Sequence, residues 1–178
     1  MHSLLNKPDQ GPAVGESWEL SGVPGDISVV ANGPYAGKSL KELIEVYPQE
    51  LLGQEVIHRF GTEFPILIKF IDASKDLSIQ LHPGDELARE RHDSFGKTEM
   101  WYVMEADPGA ELIIGFNRDS NREEYQNALQ SGKLTDLLQY EPVEGGDTFF
   151  INSGKIHAIG AGILLLSLIH ISEPTRLD

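Results

Sequence analysis

One amide, two imidazoles and one carboxylate stand at spacings that could hold a metal ion. Gln80 and His82 lie in Gln80-Leu81-His82, Glu99 in Gly96-Lys97-Thr98-Glu99-Met100, and His157 ends a run that begins at Gly146-Asp147 and passes through Gly154. This donor set suits a divalent cation of the zinc type and leaves coordination positions open for a substrate. A single strand histidine is ordinarily structural. Four ligand-type residues on faces that can converge argue the other way.

Convergence needs strands. Leu77 to His82 alternates so that Ser78, Gln80 and His82 share one face. Glu99 opens the apolar stretch Met100–Met104, a second strand. Asp147–Ile151 and Ile156–Ile159 read as a further strand pair turned at Asn152–Lys155. Inward-facing residues from several such strands meet inside a small β-barrel.

The remaining elements frame that barrel. Gly11 to Asn32 is rich in glycine and proline, as expected for loop and edge strand. Ser39 to Tyr47 has Leu40, Leu43, Ile44 and Tyr47 at helical spacing, with Ser39 as N-cap and Pro48 as terminator. Phe64 to Ile71 reads as a buried strand, Asp85 to His92 as a short polar helix, and Glu111 to Phe116 as a strand. Arg122 to Tyr140 has a helical pattern, interrupted near Ser131-Gly132, whose Tyr125, Leu129, Leu134, Leu137 and Leu138 would cover one face of the barrel. His2, His58 and His92 read as solvated, Trp18 and Trp101 as packing residues, with Trp101 near enough to Glu99 to wall the site. Glu86, Glu90, Glu123 and Glu124 read as exposed helix faces.

A chain of 178 residues can bury one substantial core, and 40% hydrophobic with 24% charged residues is ordinary for a globular domain. With no cysteine there is neither a disulfide scaffold nor a thiolate metal site. That composition, and a start without a secretion signal, fits a cytoplasmic protein. A net charge of −14 argues against nucleic acid or an anionic membrane as partner. An anionic substrate would need a local positive pocket.

The strings GESWELSG, SVVANGP, FPILIKFIDA, LSIQLHP, FGKTEMWYV and GDTFFINSGKIHAIGAG resemble type I phosphomannose isomerase, most nearly its shorter bacterial form. The likeness runs from Gly15 to Leu165. The last string is also similar to the later cupin motif G-D-x6-G-x2-H, with Asn152 where proline is usual. The resemblance implies a mainly β protein with helical insertions, a cupin-type β jelly-roll barrel, here incomplete. It implies a mannose-6-phosphate isomerase that interconverts mannose 6-phosphate and fructose 6-phosphate with one zinc ion per chain. The family's zinc ligands fall on Gln80, His82, Glu99 and His157. Its phosphate contacts fall on Ser78 and Lys97, each two residues before a ligand, so strand alternation puts them on the ligands' side.

Aldose–ketose isomerisation moves a proton between C1 and C2 through an enediol while a Lewis acid steadies the oxyanion. The base is open among Lys69, Lys97, Lys155 and a zinc-bound water, and Lys69 reads equally well as a lysine snorkelling from a strand. Two other readings stay in view. His82, Glu99 and His157 alone are the two-His, one-carboxylate set of non-haem iron oxygenases, and a non-catalytic zinc or sugar-phosphate binding module would carry the same residues.

The C-terminal string departs from the family. From Leu166 the chain reads LSLIHISEPTRLD, which resembles the translation of a transposon-derived adapter used to tag DNA sequencing libraries. Residues 1–165 are therefore expected to be a partial catalytic domain and 166–178 a non-native tail. The family's catalytic arginine is carried onto no residue, Arg176 lying near its place only by position. Relative to the family the start is short and the second half is missing. An open jelly-roll would leave sheet edges unpaired, and the uncharged run from Ala158 to Ile169 is suited to aggregation. An uninterrupted frame through the same string in re-amplified source DNA would sink the adapter reading.

Overall fold

The strands follow apolar runs, and what each buries depends on which sheet it joins. In the computed structural model, residues 5–7, 15–92 and 96–170 are described. Among them are strands β1 Glu16–Leu20, β2 Ile66–Ala73, β3 Glu99–Ala106, β4 Glu111–Phe116, β5 Leu138–Pro142, β6 Thr148–Ile151, β7 His157–Ile159 and β8 Ile163–His170. The helices are α1 Leu40–Val46, α2 Pro48–Phe60, α3 Asp85–His92 and α4 Arg122–Gln130, with a 3-10 turn at Leu134–Leu137.

Two antiparallel sheets form, one in the order β1-β2-β8-β3-β6 and one in the order β5-β4-β7. Ile71, Trp101, Val103, Ile151 and Leu165 from the larger sheet pack with Leu112 and Ile159 from the smaller into one core. The sheets face each other without closing, as the incomplete mainly β jelly-roll requires. Among the described residues no helix is long and apolar enough to cross a membrane.

Register decides which residues look inward. β2 pairs β8 without a bulge, with Leu67 opposite Ile169, Lys69 opposite Ser167 and Ile71 opposite Leu165. β8 then pairs β3, with Ile169 opposite Glu99, Ser167 opposite Trp101 and Leu165 opposite Val103. Strand alternation therefore puts Lys69, Glu99 and Trp101 on the core side. Leu166–His170, the first residues of the expected tail, form the last five residues of the eight-residue β8. Residues 171–178 lie outside the described residues, Arg176 included, as does His2.

Several expectations hold. α1 is capped as its sequence suggests. The Ser39 hydroxyl accepts from the Glu42 amide at 3.2 Å, and the Glu42 carboxylate accepts from the Ser39 amide at 2.8 Å. The Glu111–Phe116 strand and the polar helix of α3 form over the expected residues, and β1 is an edge strand.

Others are corrected. Pro48 does not merely end α1; it opens α2 at its first turn, where a missing N–H costs nothing. β2 begins at Ile66, after Pro65, which cannot donate to a ladder. The helical pattern from Arg122 stops at Gln130, and Leu138 to Tyr140 belong to β5, where pairing with β4 overrides the periodicity. Leu129 is exposed, while Leu137 and Leu138 are buried. β6 and β7 are not partners: β6 pairs β3 and β7 pairs β4, so the turn between them crosses from one sheet to the other. Beyond β7 the chain passes so close to β4 that a Cβ on Gly160 would run into the Glu111 carbonyl, which fixes glycine there.

Candidate metal centre

Three parts of the chain deliver the site. β3 turns Glu99 and Trp101 to the core, and His157 opens β7. The segment carrying Gln80 and His82 is not a full strand, contrary to the alternation read from Leu77 to His82. It lies extended along the free edge of β7. The Leu77 amide donates to the Ile159 carbonyl at 2.9 Å, and Gln80 and His157 exchange backbone hydrogen bonds of 2.8 and 2.9 Å. The His82 carbonyl then accepts from the Gly154 amide at 2.7 Å. These bonds bring the His82 and His157 rings to a centroid distance of 5.0 Å.

One ligand atom from each of His82, Glu99 and His157 lies within 4.8 Å of the others. Glu99 is 5% exposed and His157 2%. His82 Nε2 stands 3.2 Å from Glu99 Oε1, and neither it nor His157 Nε2 has a hydrogen bond of acceptable alignment, although both are buried. Buried polar atoms ordinarily find partners. The His157 Nδ1 lies 2.7 Å from the Lys155 carbonyl, which can only accept, so Nδ1 carries the proton and the Nε2 lone pair faces inward. Two imidazole nitrogens and a carboxylate converging out of water are a fitting set for a divalent cation.

The electrostatics agree. Burial holds the His157 imidazole below the usual histidine range, with His82 and Lys97 adding to that, against the Lys155 carbonyl and Glu99. It is therefore neutral and able to ligate at pH 7. Burial alone would raise the Glu99 pKa, but the His82 contact, Lys97 and both imidazoles outweigh it and keep the carboxyl below its usual value. Burial also lowers the Lys97 pKa, Glu99 opposing and Lys69 reinforcing the shift.

These shifts set a pH dependence for the metal-free protein. The unfolded chain takes up a proton at His157 near the reference 6.5 and at Glu99 near 4.5, while the folded chain resists both. The stability these two groups contribute is fully present above 6.5. It should decline as pH falls below that value and decline further below 4.5. Urea midpoints at pH 7.5, 5.5 and 4 check this, and a midpoint that rises on acidification would contradict it.

Beside the three residues opens a cavity of about 420 Å³, its mouth included, lined among others by Glu16, Lys69, Ser78, Gln80, Lys97 and Trp101. Gln80, Ser78 and Lys97 thus share one cavity with Glu99 and His157. Lys97 Nζ is 3.8 Å from Glu99 Oε1. Lys69 is only 14% exposed and pairs with Glu16 at 3.1 Å rather than lying along the outer surface. The Lys155 side chain is exposed, and its contribution is the carbonyl already described.

Glu16 was not read as a site residue. Lys69 lies opposite Trp18 where β1 pairs β2, and the Trp18 indole N–H holds the second Glu16 oxygen at 3.1 Å. A carboxylate on a surface strand carries no sequence signal of that placement. Trp18 itself is exposed, contrary to the packing role its type suggests, whereas Trp101 is 2% exposed and donates its indole N–H to Glu99 Oε2 at 2.9 Å.

Residues 4–134 match the family model for the phosphomannose isomerase type I catalytic domain. The chain belongs to the type I phosphomannose isomerase family. It is 42% identical over 161 residues to mannose-6-phosphate isomerase of Streptococcus mutans, a match covering 90% of this chain and 49% of that protein. It is 40% identical over 162 residues to a mannose-6-phosphate isomerase of Bacillus subtilis, covering 90% and 50%. The crystal structure of mannose 6-phosphate isomerase from Bacillus subtilis superposes with a TM-score of 0.85 at 34% identity, over 99% of this chain and 57% of that one. The chain spans about half the length of the curated family members it matches.

Proposed function

We propose that this chain carries the zinc centre of a mannose-6-phosphate isomerase, with His82, Glu99, His157 and Gln80 as ligands. The reading is carried by the two buried Nε2 atoms without hydrogen bonds that face the Glu99 carboxylate. A zinc ion held there would supply Lewis acidity to the sugar oxygens where charge develops between C1 and C2. Gln80, lining the cavity beside His157, would give the fourth donor, an oxygen.

Ser78 and Lys97 would take the substrate phosphate. Lys97 is the cation nearest Glu99 among the described residues, and an ammonium facing a phosphate there offsets the net charge of −14. Lys69, held by Glu16 in the same cavity, would meet a sugar hydroxyl or move a proton at C1 or C2.

Lys97→Ala separates the two roles. It should weaken sugar-phosphate binding roughly ten- to hundredfold, the 1.5–3 kcal/mol of a hydrogen bond to a charged group. Zinc affinity should hold or rise slightly, since a positive charge beside the ligand carboxylate is removed. Calorimetric titration with fructose 6-phosphate and with zinc reads both, and equal loss of both would refute the division.

The activity is tested by a coupled isomerase assay with bound zinc quantified. This chain should be run beside a longer one built to the length of its relatives. Turnover by the longer chain, with one zinc per chain in each, is the expected result. Zinc in both with turnover in neither would favour a binding module, and zinc in neither would overturn the centre.

A further inference from the structure

We infer that Trp101 is a positioning residue of this centre: its indole N–H ties down one oxygen of Glu99 and leaves the other for the cation, while its ring sets the plane of His157. The inference rests on the metal-centre reading above and assigns a role that the donor set alone does not. Glu99 and Trp101 are two apart on β3, so they face the same way with spacing fixed by the backbone.

Indole N–H is a donor only, and a buried one needs an acceptor. Trp101 satisfies that need at Glu99 Oε2, 2.9 Å away. The other oxygen, Oε1, is the one that lies 3.2 Å from His82 Nε2 and 3.8 Å from Lys97 Nζ. An untethered carboxylate could rotate or bind side-on through both oxygens. Held at Oε2, Glu99 offers Oε1 alone.

The same indole meets the His157 ring edge to face, with centroids 5.5 Å apart and planes at 78°. His157 is thus fixed by Trp101 on its ring and by the Lys155 carbonyl at Nδ1. Trp101 cannot drift, since Ser167 of β8 and Phe149 of β6 pair with it on either side. One buried side chain therefore orients two of the four proposed ligands, which is how outer partners tune a metal site.

Trp101→Phe keeps an aromatic ring and removes the N–H. Zinc affinity of the metal-free chain, measured by competition with a chromophoric chelator, should fall about 10- to 100-fold. The visible spectrum of the Co2+-loaded variant should change as Glu99 becomes free to swing side-on. Tyr102→Phe, on the opposite face of β3, should match the unaltered chain in both. Because Trp101 acts through Glu99, Trp101→Phe should cost far less in a Glu99→Ala background. Unaltered affinity and spectrum in Trp101→Phe would overturn the inference. So would an equal loss in the Glu99→Ala background, which signals general damage or misfolding. If the unaltered chain binds neither metal, the metal-centre reading itself falls, and Trp101's role with it.

Discussion

Replacing His157 by alanine should lower zinc affinity by more than about a hundredfold, beyond what losing an outer partner of a metal ligand costs. Alanine preserves the backbone bonds that β7 exchanges with Gln80, which depend on no side chain. What disappears is the Nε2 lone pair, aimed by the Lys155 carbonyl toward the group formed with Glu99 and His82. Chelator competition measures the loss, and stoichiometric zinc at unaltered affinity would remove His157 from the site. A second readout follows from the sign of its titration. The decline in metal-free stability just below pH 6.5 should shrink in His157→Ala to the part contributed by His170, whose imidazole burial and Arg59 also hold below the usual range, while the decline below 4.5 from Glu99 persists.

Leu165→Ala should cost about 2–5 kcal/mol of folding stability, a large part of the roughly 5–15 kcal/mol a domain of this kind possesses. Leu165 is 0% exposed, faces the core from the central strand β8, and pairs with Ile71 on one side and Val103 on the other. Flanked by backbone hydrogen bonds in both directions, the site cannot collapse to fill the void, which pushes the cost upward. Urea unfolding should show a lower midpoint at unchanged slope. Leu129→Ala, at an exposed position of α4, should stay within about 0.5 kcal/mol of the unaltered chain. Equal effects at the two positions would mean that β8 is not the core strand described.

Residue chemistry was the legible part of the site. Glutamine, histidine and glutamate in short apolar strings announce metal ligation by type, and His82, Glu99 and His157 do come together. The wall formed by Glu16 and Lys69 was not legible, because the two are far apart in sequence and meet only through the β1–β2 register. The fold was legible where local chemistry decides: the Ser39 capping box, the polar helix α3, the β4 strand. It failed where a partner decides. Asn152 to Lys155 looks like a hairpin turn from its residues, yet which sheet each flanking strand joins is set by β3 and β4. Leu138 to Tyr140 continued a helical rhythm that pairing with β4 overrode.

The central position of β8 bears on synthesis. The larger sheet is assembled from β2 and β3, both made early, and the strand that joins them is the last one described. Ribosomes add about 5–20 residues per second, and some 90 residues separate the end of β2 from the start of β8. For roughly 5–18 s, β2 therefore has β1 as its only sheet neighbour and exposes an apolar edge that chaperones or other nascent chains can engage. The run from Ala158 onward, read as an aggregation hazard, is also the one that ends the exposure, so the yield of soluble protein should be set by how promptly β8 docks.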